Sequence, residues 1–159
     1  PDLGGGTLLD LGVYPVSLAH WLFGDPVEIH GTANLGSTGV DEDAGILLRH
    51  AGGEVTTAFT SFRVETSRTA TIQGTEGWIR LEQPFWGARQ ITVGLKDGQE
   101  EQQSFDLRGG GYTHMAEAFM DLIREGKRDS DVISHAQSLN IMQTMDTLRA
   151  GWGQKYPME

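Results

Sequence analysis

The sequence contains no cysteine in 159 residues. That absence excludes disulfides, thiolate metal sites and a cysteine nucleophile, and it fits a reducing, cytoplasmic setting. No apolar run approaches the ~20 residues that span a bilayer, and no basic stretch followed by an apolar one opens the chain, so neither insertion nor export is indicated. Basic residues are scarce: 12 Lys and Arg stand against 22 Asp and Glu, a formal charge of −10 that repels polyphosphate backbones and anionic lipid. Nucleic-acid and membrane partners are therefore not expected. The five histidines, His20, His30, His50, His114 and His135, are scattered singly, without the H-E-x-x-H spacing that places two ligands on one helical face, so no metal site is expected. A G-x-S-x-G elbow for a serine hydrolase is missing as well. So is an initiator methionine: the chain enters at Pro1-Asp2-Leu3 and reads as the middle of a longer protein.

What remains is a chain with 38% hydrophobic and 21% charged residues, which excludes disorder and points to one compact domain over residues 1–159. Thr7 and Asp10 are spaced as a capping box ahead of Leu8, Leu9, Leu11, Val13, Val16, Leu18, Trp21, Leu22 and Phe23. This predicts a helix over about 7–23, stopped by Gly24-Asp25-Pro26 and bent at Pro15. From Val27 to Leu107 the apolar period falls from about 3.6 to 2, with turn signals at Gly36-Ser37-Thr38-Gly39, Ala51-Gly52-Gly53, Gly74-Thr75-Glu76-Gly77 and Asp97-Gly98. About seven antiparallel strands are expected. Thr56, Thr60, Thr69, Thr71, Gln73 and Thr92 dress one sheet face, which suits water or a second subunit better than a core. Two helices close the chain. Tyr112, Met115, Ala116, Phe119, Met120 and Ile123 form the apolar stripe of the first. The second opens with a capping box at Ser134 and Gln137 and ends near Gly151 and Gly153. The expected fold class is α+β: a large open, mostly antiparallel sheet with helices packed on one face.

Chemistry-bearing residues are few. Asp10 and Tyr14, four apart, project from one helical face one turn apart, a carboxylate beside a phenol. As a proton-handling pair they need help. A free phenol titrates near ~10 and a neighbouring carboxylate alone makes ionisation harder, so a cation must come from elsewhere. The alternative is a capping carboxylate beside an amphipathic core residue. Phe85 and Trp86, after Pro84 at a strand end, are candidate stacking surfaces for a sugar or aromatic substrate, or else they seal a sheet edge. The glycine runs Gly4-Gly5-Gly6 and Gly109-Gly110-Gly111 each precede a helix but lack the G-x-G-x-x-G spacing and the βαβ context of a dinucleotide fingerprint. They read as tight turns.

The stretch from Gly4 to Pro15, with Gly4-Gly5-Gly6-Thr7-Leu8, Asp10, Gly12 and Tyr14, continuing to Trp21-Leu22-Phe23-Gly24, resembles the G-G-G-x-L-x-D-x-G-x-[HY] signature of the glucose–fructose oxidoreductase/inositol dehydrogenase/MocA oxidoreductases. Thr38-Gly39-Val40-Asp41, Gly74-Thr75-Glu76-Gly77-Trp78-Ile79, Gly111-Tyr112 and the segment from Arg149 to Pro157 extend the likeness over nearly the whole chain. With tyrosine at position 14 it is most similar to the branch containing dimeric dihydrodiol dehydrogenases and NADP-dependent xylose dehydrogenases. The resemblance implies the C-terminal domain of a two-domain enzyme. The missing N-terminal Rossmann domain would bind NAD or NADP and supply the active-site lysine from a Glu-Lys-Pro motif; Lys96, Lys127 and Lys155 all fall in expected turns or tails. It further implies Tyr14 as acid/base on the substrate oxygen, Asp10 as its partner, and a small-molecule substrate of the sugar, polyol or dihydrodiol class. A homodimer through the open sheet face is implied too. Ser17 stands where many relatives carry an aspartate, so that contact does not transfer. The competing reading is a non-catalytic ligand-binding or dimerisation module of the same fold.

Overall fold

A computed structural model of the chain describes residues 4–157; the opening Pro1-Asp2-Leu3 lies outside them. The architecture is α+β, and among the described residues the seven strands pair antiparallel. The chain divides into two compact units: residues up to Thr66 together with those from Ser130 onward, and Ser67–Asp129 between them. Among the described residues no helix is long and apolar enough to cross a membrane.

The first unit holds helix α1 (Val13–Phe23), strands β1 (Pro26–Leu35), β2 (Asp41–His50) and β3 (Val55–Ser61) in the order β1-β2-β3, and the closing helix, which becomes α3 (His135–Trp152) below. In the register of the sheet, Ile29, Leu48 and Thr56 share one row, Gly31, Ile46 and Ala58 the next, and Ala33, Ala44 and Thr60 a third. This is the inner face, because Ala44, Ile46 and Leu48 are buried. Leu8, Val16 and Ala19 from the chain start and Ile141, Met145 and Leu148 from the closing helix complete that core. The helix can lie close on β1 because position 31 is glycine: a Cβ there would meet Gly45 O at 2.8 Å and Leu148 Cδ2 at 2.8 Å.

Thr56 and Thr60 do not stand on the open face that their polarity predicts. Thr60 is buried, and Thr56 Oγ1 lies 3.3 Å from His50 Nε2, so both belong to the inner face. The outer face instead presents Glu28, Arg49 and Val55, then His30, Leu47 and Thr57, then Thr32, Gly45 and Phe59.

The second unit holds β4 (Ala70–Gln73), β5 (Gly77–Leu81), β6 (Gln90–Leu95) and β7 (Glu100–Ser104), each hairpin-paired to the next, followed by helix α2 (Tyr112–Arg124). The Asp97-Gly98 turn closes as expected: Gly98 takes a φ of 85°, and Asp97 Oδ1 accepts from the Gln99 amide at 3.0 Å. The seven strands thus form a three-stranded and a four-stranded sheet in place of one large one. Residues 62–69 carry no strand. Ser61 Oγ accepts from the Arg63 and Val64 amides at 2.9 and 3.1 Å, and Arg68 takes a φ of 50°, so the chain leaves extended geometry there.

α3 begins and ends as its residues dictate. Ser134 Oγ accepts from the Gln137 amide at 3.1 Å, and Gly153 adopts a left-handed φ of 73° past the last turn. α2 departs from expectation. None of its residues is buried, and Tyr112, Met115, Phe119 and Ile123 stay exposed. Helical periodicity shows which face is apolar but not what covers it.

Candidate active site

The chain enters the site through Gly4, Gly5 and Gly6, with φ values of 78°, 114° and 101°. Instead of one α-helix from Thr7, residues Leu8–Gly12 form a π-turn and α1 proper starts at Val13. Pro15 explains the break. It has no N–H for the Leu11 carbonyl and its ring crowds that oxygen, so an α-turn through Leu11 is disfavoured. With α1 starting at Val13, Pro15 falls in a first turn, where no intrahelical donor is required. Single π-turns of this kind recur at functional sites.

The capping box does not form. Thr7 has helical backbone angles, makes no side-chain cap and keeps a buried Oγ1 with no partner. The cap comes from across the unit: Asp41 at the start of β2 is fully buried and its Oδ2 accepts from the Leu8 amide at 2.6 Å. On the expectation of period-2 alternation Asp41 should face outward with Asp43. A bulge intervenes, since Asn34 pairs with Asp43 but Leu35 pairs with Asp41, leaving Glu42 as the extra residue that turns Asp41 inward. From the other side the segment after α3 holds the same entrance. Tyr156 Oη donates to Gly5 O, Gln154 Nε2 donates to Tyr156 Oη at 3.4 Å, and the Arg149 guanidinium carbon sits 4.6 Å from the Tyr156 ring centre.

Held this way, the helix seals Leu8, Gly12 and Val16 in the core and turns Asp10 and Tyr14 outward. Tyr14 is 39% exposed. Both candidate residues are exposed, four positions apart across the junction of the π-turn and α1.

Phe85 and Trp86 lie in the second unit, on a short turn after the cis Gln83-Pro84 bond, with ring centres 5.2 Å apart in an edge arrangement. Trp86 is exposed. Lys96, Lys127 and Lys155 lie outside helices and strands; Lys96 faces Glu76 at 3.8 Å and Lys127 faces Glu125 at 3.0 Å. No group of three His, Cys, Asp or Glu suited to a metal is found among the described residues.

At the far end of α1, His20 is buried, with Nδ1 3.0 Å from Asp25 Oδ1 and Nε2 3.0 Å from Thr144 Oγ1. Asn140 Nδ2 donates to the second Asp25 oxygen at 2.6 Å, which ties α3 to the turn after α1. Burial lowers the His20 pKa below its ordinary value; Asp25 opposes the shift and His50 adds to it. His50, also buried, lies with Nδ1 2.9 Å from Gly24 O. His20 and His50 therefore fasten the end of α1 to α3 and to β2 respectively.

The described residues thus hold antiparallel strands with an exposed carboxylate at Asp10 and an exposed phenol at Tyr14, and no parallel βαβ unit is found among them. The GFO/IDH/MocA C-terminal domain family matches residues 1–80, and the chain belongs to that family. It is 30% identical over 163 residues to trans-1,2-dihydrobenzene-1,2-diol dehydrogenase of Oryctolagus cuniculus, covering 98% of this chain and 50% of that protein. It is 29% identical over 160 residues to the NADP(+) scyllo-inositol 2-dehydrogenase of Bacillus subtilis, covering 100% of this chain and 48% of that one. The chain thus spans about half the length of the curated relatives it matches. Among solved structures, its fold is similar to a 3-ketoreductase from Actinomadura kijaniata solved in complex with TDP-benzene and NADP, with TM-score 0.80, 20% identity and coverage of 96% of this chain and 49% of that one. It is also similar to UDP-N-acetylglucosamine 3-dehydrogenase from Acidithiobacillus ferrooxidans, with TM-score 0.80, 16% identity and coverage of 94% and 48%.

Proposed function

We propose that this chain is the substrate-facing half of an NAD(P)-dependent oxidoreductase acting on a sugar, polyol or related secondary alcohol. The observation that carries the reading is the outward placement of Asp10 and Tyr14 on a helix whose other face is sealed in the core. The dehydrogenases and the ketoreductase to which the chain is similar support the class. The nicotinamide, held by polypeptide outside this chain, supplies the hydride acceptor or donor.

This chain handles the proton. In the oxidative direction Tyr14 Oη takes the proton of the substrate hydroxyl as its carbon is oxidised, and it returns that proton in reduction; Asp10 orients the hydroxyl or relays the proton. A phenol beside a carboxylate needs a cation to act as a base near neutrality. The family resemblance implies that this cation is a lysine supplied from outside this chain. Within the second unit by itself, Phe85 and Trp86 are proposed as a stacking surface for a sugar or aromatic ring, on their chemistry and on the exposure of Trp86. Also proposed is a homodimer through the outer face of the first sheet, where Leu47, Val55 and Phe59 are exposed. Sedimentation that finds only monomer at high concentration counts against that interface. A cytoplasmic location, in keeping with the absence of cysteine, completes the reading.

The test is a full-length polypeptide carrying this chain, assayed for NAD(P) reduction with aldoses, polyols and dihydrodiols. Turnover with one class, reduced about 100-fold or more by Tyr14→Phe, supports the assignment. Unchanged turnover in that variant removes Tyr14 from the mechanism.

A further inference from the structure

We infer that Asp41 is a positioning residue for the Asp10 and Tyr14 pair: its buried carboxylate fixes the turn from which both side chains project. The inference rests on the functional reading above for its catalytic consequence, but not for its structural content.

Three independent features converge on this carboxylate. It is completely buried, yet it meets one donor only, the Leu8 amide at 2.6 Å, while Oδ1 has no hydrogen-bond partner. A buried charge so sparsely satisfied is costly and is unlike an ordinary surface cap. Gly6 presses directly against it: a Cβ at that position would fall inside the radius of Asp41 Oδ1, and the backbone there takes a φ of 101°. Finally, a strand bulge at Glu42 is what turns the side chain inward. Each feature brings an anion to the positive end of a helix axis, where backbone amides are unpaired.

The consequence follows from the backbone. Leu8 opens the π-turn, Asp10 lies within that turn, and Tyr14 follows in the first turn of α1. Pro15 has already weakened the helical path through Leu11. The turn is therefore fixed at its start by the Leu8 amide and from the tail by Tyr156 on Gly5. Losing the first of these lets residues 6–12 settle into another turn. Displacement of reacting groups by ~1 Å is enough to cost about 100-fold in rate. Asp41 itself need not touch substrate.

The experiment compares Asp41→Ala, which removes the acceptor, with Asp41→Asn, which keeps an oxygen facing Leu8. In the 159-residue chain labelled with [¹³Cζ]tyrosine, Tyr14 and Tyr156 report on the entrance, and Tyr112 in the other unit is the internal control. Asp41→Ala is expected to move the Tyr14 and Tyr156 resonances and leave Tyr112 in place; Asp41→Asn restores both. Should Asp41→Ala fail to fold, Asp41→Ser, whose hydroxyl lies further from Leu8, takes its place with the same expectation. In the full-length polypeptide, kcat per folded molecule is expected to fall about 10- to 100-fold in Asp41→Ala, with KM little changed and Asp41→Asn within about threefold of the parent. A Tyr14 resonance unmoved by Asp41→Ala or Asp41→Ser overturns the inference. A lowered melting temperature with unchanged kcat also overturns it, since that is what a merely structural cap does. An inactive polypeptide, or turnover unaffected by Tyr14→Phe, defeats the functional reading instead and leaves the resonance experiment to decide on Asp41.

Discussion

Replacing Gly6 by alanine tests the tight entrance to the site helix in the most quantitative way. The substitution does two things. It places a side chain at a φ of 101°, and it puts a methyl group where Asp41 Oδ1 lies. The backbone strain alone costs about 1–3 kcal/mol. Driving the carboxylate off the Leu8 amide forfeits a charge-assisted hydrogen bond worth about 1.5–3 kcal/mol. Gly5 supplies the control: its φ is 114° but a Cβ there meets nothing within 4 Å, so Gly5→Ala carries the strain without the collision. The two variants should therefore differ by about 1.5–3 kcal/mol, with Gly6→Ala the less stable. Denaturant titration followed by tryptophan fluorescence reads this difference in a Trp78→Phe/Trp86→Phe background, where Trp21 and Trp152 report on the first unit alone. Equal destabilisation of the two alanine variants would refute the reasoning, because the contact between Gly6 and Asp41 would then contribute nothing.

Two further outcomes follow from the same unit. Ser134→Ala removes the acceptor for the Gln137 amide and should lower stability by about 1 kcal/mol, read in the same titration; a change under about 0.3 kcal/mol would mean the cap is replaced by water. His20, whose pKa is held below its ordinary value of 6.5 by burial, takes up its proton more readily in the unfolded chain. Its contribution is therefore complete above pH 6.5 and is lost as pH falls below that value toward the folded pKa. Denaturation midpoints from pH 8 to 5 should decline through this window, and His20→Gln should flatten the decline; a slope that survives the substitution assigns it to another group.

The parts of the fold that were legible in the sequence are those set by neighbours along the chain. Ser134 and Gln137 cap a helix, Gly153 ends it, and the four turn signals from Gly36 to Gly98 fall at four of the six breaks between strands, because each depends on local backbone preference. The outward placement of Asp10 and Tyr14 was legible for the same reason, since helical spacing fixes which residues share a face. What escaped depends on partners distant in sequence. Thr7 loses its capping role to a carboxylate that is 33 residues from Leu8, whose amide it accepts, and a bulge in β2 is what turns that carboxylate inward. Threonine suits either side of a strand, so the side chains of Thr56 and Thr60 do not reveal their face. Here they line the inner face, where His50 meets Thr56. The apolar stripe on α2 was read correctly as a stripe, but its covering by the sheet was not, since amphipathicity names no partner.

The central claim is that this helix brings a proton-transferring phenol to a substrate oxygen, and turnover with and without that phenol addresses it most directly. In a full-length polypeptide carrying this chain, kcat for alcohol oxidation should fall about 100-fold or more in Tyr14→Phe, with the fold unchanged. A Tyr14→Phe enzyme that keeps the parent rate would contradict the account.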